Sequence, residues 1–102
     1  SEAATEQKLA TLKDALALAG RDEERKLVLA ALGKIRSVDA LALVSPYLDS
    51  APIKEEAALA AVAIAENLPA PRPAQVASAM RQVVKITANA QLAERAKALA
   101  GN

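Results

Sequence analysis

The residues of this chain that come nearest to chemistry are two pairs of adjacent carboxylates, Glu23–Glu24 and Glu55–Glu56. Paired acids can divide the work of general acid and general base, or hold a divalent cation. Each pair, however, opens an expected helix, where negative charge complements the helix dipole, and that placement accounts for both. The rest of the catalytic inventory is missing. With no His and no Cys there is no common nucleophile–base pair, no imidazole to shuttle a proton and no His or Cys metal site. Gly20, Gly33 and Gly101 stand singly and form no phosphate-cradling loop. The reading is therefore no catalytic residue, no cofactor site and no metal ligand, and a chain that is not an enzyme.

Binding chemistry is the next candidate. Arg81 and Lys85 stand at i, i+4 on an expected helix, and Lys34 with Arg36 ends another, so both clusters could touch phosphates. No aromatic residue is interleaved with them, and solvated helix faces account for both clusters. Tyr47, the single aromatic, follows Pro46. Tyr is enriched at binding hot spots, but a residue with an apolar ring and a polar tip at a helix end is also expected to pack the ring and wet the hydroxyl.

The elements that must carry these residues are all helical. The stretch Ile53 to Leu68 holds nine consecutive apolar residues, Ala57 to Ala65, between charged ends. A helix without a polar stripe must be covered on more than one side. Ile53, Ala57, Ala60, Ala61, Ile64 and Leu68 form one face, with Leu59 and Val62 on a second. Nine residues fall well short of the roughly eighteen needed to cross a bilayer, so this is a core helix and no membrane insertion is expected.

Around it the spacing predicts a first helix over Ala4–Ala19, built on Leu9, Leu12 and Leu16 and stopped by Gly20. A second runs from an Asp22 N-cap to Ile35, with Val28, Ala31, Leu32 and Ile35 inward, and Gly33 there suggests close approach of a neighbour. Ser37 caps a third, Val38–Leu48, with Leu41, Val44 and Leu48 inward; Pro46 should break it near Ala42 to Ser45. Pro69 to Pro73 reads as an extended connector. A fifth helix, Ala74–Thr87, turns Val76, Met80, Val83 and Val84 inward, and Asn89 caps a sixth, Ala90–Ala100, built on Leu92, Ala96 and Leu99.

One hundred and two residues suit a single domain over 1–102. About a quarter of them are Ala, with no Phe and no Trp, so helices must approach closely through small side chains. A net charge of +1 offers no bulk field for nucleic acid or an anionic membrane. The absence of Cys leaves the compartment open. The Ser1 segment lacks the pattern of a secretory signal, and the expectation is a piece of a larger multi-domain protein.

A repeat ties the helices together. Val28, Ala31, Leu32 and Ile35 superpose on Ala57, Ala60, Ala61 and Ile64 after a shift of 29 residues, and Ile53, Ala57 and Ala60 superpose on Leu92, Ala96 and Leu99 after a shift of 39. The difference is largely the proline connector, so three helix hairpins are expected. LVLAALGKI from Leu27, followed by SVDALALVSPYLD from Ser37, resembles HEAT and related armadillo-type repeats. The family pattern departs at Ala93, where a basic residue is favoured, and at Glu24, where an apolar one is expected; both lie in the outer hairpins, as terminal caps would. The resemblance implies an all-α, right-handed α–α superhelix, a short solenoid of about three antiparallel hairpins. It also implies a non-catalytic scaffold whose partner is another protein or a neighbouring domain of the same chain. The alternative is a nucleic-acid-binding helical repeat, for which Arg25, Lys26, Lys34, Arg36, Lys54, Arg81 and Lys85 would have to form one patch.

Overall fold

The computed structural model describes residues 1–101. Six α-helices and one 3₁₀ helix account for most of them, and no strand occurs among the described residues. Helix α1 spans Glu2–Leu18, α2 Asp22–Leu32, α3 Val38–Val44, α4 Lys54–Asn67, α5 Ala74–Ile86 and α6 Ala90–Leu99, with the 3₁₀ helix at Ser45–Asp49.

The helix ends follow local chemistry. Ser1 Oγ accepts from the Ala4 N–H at 3.2 Å, so α1 begins two residues before the expected Ala4. Ser37 Oγ accepts from the Asp39 N–H at 3.1 Å and Asn89 Oδ1 from the Leu92 N–H at 3.0 Å, both as expected of caps. Asp22 is not the N-cap of α2. Arg21 occupies that place without a side-chain capping bond, and the Glu24 carboxylate instead reaches back to accept from the Gly20 N–H at 3.0 Å. The bond resembles the return arm of a capping box, shifted by one residue to the position before the N-cap. Pro46 lacks the N–H that would continue α3, and the chain tightens into the 3₁₀ helix between Val44 and Ser45, inside the expected break. Ser45 Oγ donates to the Leu41 carbonyl at 2.7 Å at that junction.

Packing follows chain order. Each of the pairs α1–α2, α3–α4 and α5–α6 is in contact; α1 touches α3 and α3 touches α5, while α2 touches α4 and α4 touches α6. Helix α4 also packs on α3, α5 and the 3₁₀ helix, so it meets every helix except α1. The Cα extents are 35 × 32 × 17 Å. The short dimension fits two helix layers at an ordinary interaxial spacing of about 8–10 Å.

The core is made of Leu, Ile, Val, Met and Ala, and no polar or charged residue is buried among the described residues. Ala57, Ala58, Ala61, Val62, Ile64 and Ala65 of α4 are fully enclosed. Two assignments from periodicity are corrected. Leu59 is 54% exposed, although its partner on the supposed second face, Val62, is buried. In α2 the fully buried residues are Leu29 and Leu32, whereas Val28 and Ala31 are only half-buried and Leu27 is 73% exposed. Residues 27–32 are all apolar, so the period alone cannot choose the inward phase; the packing of α1 and α4 on either side chooses it.

Candidate functional site

The acid pairs behave as structural groups. Glu24, held by the Gly20 N–H and by Arg21, has its carboxyl below the usual range. Glu23 binds Lys26 at 3.2 Å, which raises the Lys26 ammonium above its ordinary value, with Glu56 contributing at 3.8 Å. Glu55 does what its neighbours in sequence give no hint of. Its carboxylate accepts from Thr87 Oγ1 at 2.6 Å and from the Ala88 N–H at 2.8 Å, tying the start of α4 to the α5–α6 link. The Ala88 N–H and then the Thr87 hydroxyl lower its pKa. Among the described residues no group of three or more acids is placed to hold a metal ion.

The cations are carried by different elements, Arg25 and Lys26 by α2, Lys34 and Arg36 by the link after it, Lys54 by the start of α4, and Arg81 and Lys85 by α5. Arg25 is bound to Asp22 at 2.9 Å and to the Ala19 carbonyl at 2.9 Å, where it closes the end of α1. Lys26 is engaged as described above. Arg81 and Lys85 lie on α5, which makes no contact with α2, the carrier of Arg25 and Lys26. Lys34 stands two residues past the end of α2, after Gly33. Tyr47 packs partly buried against the core. Arg95, not singled out from sequence, forms a two-pronged bond with Glu66: 3.0 Å from Nε and 2.7 Å from Nη2. This joins α4 to α6, lowers the Glu66 pKa and raises that of Arg95.

The surface also leaves large apolar side chains uncovered. Leu59 lines a groove between α2 and α4 together with Ala30, Gly33, Ala60 and Ala63, with Lys34 and Glu56 among its walls. Leu27 lies on the same stripe of α2 as Ala30, at i and i+3. The groove is closed at its floor by the approach of Gly33 to Ala60. A signal for it was present in the sequence: Glu56, Leu59, Ala63 and Glu66 share one helical stripe, and its charged ends mark the stripe as wet.

Larger grooves lie elsewhere on the surface, two of them between other helix pairs. The α3–α5 groove carries Ser45, Gln75, Ser78 and Gln82, but Gln82 donates to Asp49 at 3.0 Å and Ser45 to Leu41, so half of that polar lining is already committed. The α1–α2 groove, lined by Lys8, Leu12, Ala31 and Ile35, lies between the two helices of the first hairpin. No described helix is long and apolar enough to cross a membrane. Compared with models of known protein families, with curated proteins and with solved structures, the chain matches none.

Proposed function

We propose that this chain is a non-catalytic helical-repeat scaffold of the HEAT-like, armadillo-type kind, a short right-handed α–α superhelix of three hairpins that binds another protein or a neighbouring domain of its own chain. The order of packing supports the repeat: each hairpin meets only the next, α1–α3–α5 on one side and α2–α4–α6 on the other. The observation that carries the binding role is Leu59, exposed over half its surface within the otherwise buried or half-buried run Ala57–Ala65 and facing a groove whose floor is backbone and alanine. A contiguous apolar surface rimmed by charge is what a protein-docking face requires.

A nucleic-acid role is the rival. It needs a single basic stripe, whereas Arg25, Lys26 and Arg95 are neutralised by Asp22, Glu23 and Glu66, and Arg81 and Lys85 stand on a helix that does not touch α2. The test is titration of the chain with duplex and single-stranded DNA over a range of salt, beside hydrolase and transferase screens. The expected result is no turnover and no complex at physiological salt. A tight complex that weakens steeply with added salt would reverse the ranking, since neutralising several phosphates imposes that dependence.

A further inference from the structure

We infer that α1 is a removable cover: it undocks from the fold as one helix while α2 to α6 stay assembled, and in doing so bares an apolar face beneath it. The way α1 is held sets it apart from the rest of the chain. Of its 17 residues only Leu9 and Leu16 are buried, with Thr5, Leu12 and Ala15 half-buried and the others exposed. Open grooves flank it on both sides, one against α2 along Leu12, Ala31 and Ile35, and one against α3 along Leu9, Asp39 and Leu43. Its contact is therefore the single stripe of Leu9, Leu12 and Leu16. Among the described residues no ion pair or side-chain hydrogen bond joins Glu2–Leu18 to another element, and the bonds of the Ala4 N–H and the Thr5 hydroxyl both go back to Ser1. The polar ties stand only beyond its C-terminal end, where Arg25 donates to the Ala19 carbonyl and the Gly20 N–H donates to Glu24.

The last hairpin is fastened differently. It is bound to the second by Gln82 on Asp49, by Thr87 and the Ala88 N–H on Glu55, and by Arg95 on Glu66. Helix α4, the enclosed centre, touches every helix except α1, so losing α1 removes no neighbour from it. Sub-global opening follows the boundary that the fewest interactions cross, and in this chain that boundary runs along α1. Helix α1 also depends least on packing for its own structure. Ala, Leu, Glu, Gln and Lys are strong helix formers and Ser1 caps it, so the undocked segment keeps part of its helix and leaves the fold at a low cost in order. Undocking bares Ala31 of α2, Ile35 just past it and Leu43 of α3, together with the three leucines of α1, an apolar surface that the closed protein withholds.

Native-state hydrogen exchange on the whole chain tests this. The amides from Leu9 to Leu16 should share one protection factor, on the order of 100-fold below that of the α4 amides, and should respond less to added denaturant because the opening exposes less surface. Leu92→Ala, in the buried face of α6, separates this opening from global unfolding. The contacts of Leu92 persist when α1 alone undocks, so the variant should speed exchange in α4 by the factor its lost stability sets and leave Leu9 to Leu16 unchanged. Val83→Ala, a smaller deletion in α5, takes its place where Leu92→Ala does not fold. The inference is overturned by α1 amides as protected as those of α4, or by a variant that speeds α1 and α4 by the same factor. Protection that decays smoothly from the ends of α1, with no common value, would also overturn it, because that is fraying and not undocking.

Discussion

Gly33 lies against Ala60 so closely that a Cβ on Gly33 would sit 3.2 Å from the Ala60 Cα and 3.3 Å from its Cβ. That is tighter than ordinary contact, and the nearer obstacle is backbone. Ala is favoured over Gly in a helix by about 1 kcal/mol, yet here the added methyl must push α2 away from α4. Gly33→Ala should therefore lower the melting temperature, and Ala60→Leu should cost about 1–3 kcal/mol. A Gly33→Ala chain that melts higher than its parent would show that the two helices can separate freely.

Acid should weaken the fold through a few identifiable carboxylates. Glu55, Glu66 and Glu24 all have folded pKa values below those of the unfolded chain, through the Ala88 N–H and Thr87, through Arg95, and through the Gly20 N–H respectively. A depressed folded pKa contributes stability above the unfolded value, about 4.3 for Glu, which is lost as pH falls through the folded value. Thermal melts should thus be nearly flat near neutrality and fall on the acid side. Glu55→Gln should lower the melting temperature at neutral pH and converge with the parent in acid. Equal displacement of the two curves at every pH would mean that the Glu55 charge is not what ties α4 to the α5–α6 link.

The connector should tolerate length but not loss of one side chain. Pro69 to Pro73 is exposed throughout, and each doubling of a loop costs only about 0.6 kcal/mol, so several Gly and Ser residues inserted after Pro69 should leave unfolding cooperative. Arg72, however, donates from Nε to the Ala65 carbonyl at 3.0 Å near the end of α4. Arg72→Ala should cost about 1 kcal/mol in chemical denaturation. Non-cooperative unfolding after the insertion would show that the segment holds the last hairpin in place.

Most local signals are legible in the sequence, the Asp22 cap being the exception, and long-range ones are not. Ser37, Asn89 and Pro46 act within four residues of themselves, so their effect on helix boundaries is visible without a fold. The enclosure of α4 follows from its unbroken apolar run. The inward phase of α2 was ambiguous because six apolar residues in succession fit several stripes. The apolar run of α4 likewise lets Leu59 fit a second buried face, and only the ends of its stripe, Glu56 and Glu66, contradict that. Glu55 and Glu66 find their partners, Thr87 and Arg95, 32 and 29 residues away, and no periodicity reports such a pairing.

The docking role of the α2–α4 face is tested most directly by photocrosslinking. A photoreactive side chain at position 59 is compared with one at the exposed position 81 of α5, in the cells that produce the protein. The account predicts protein adducts from position 59, to a second copy or to a different chain, and few from position 81. Adducts from position 81 alone, or adducts to nucleic acid from either position, would contradict it.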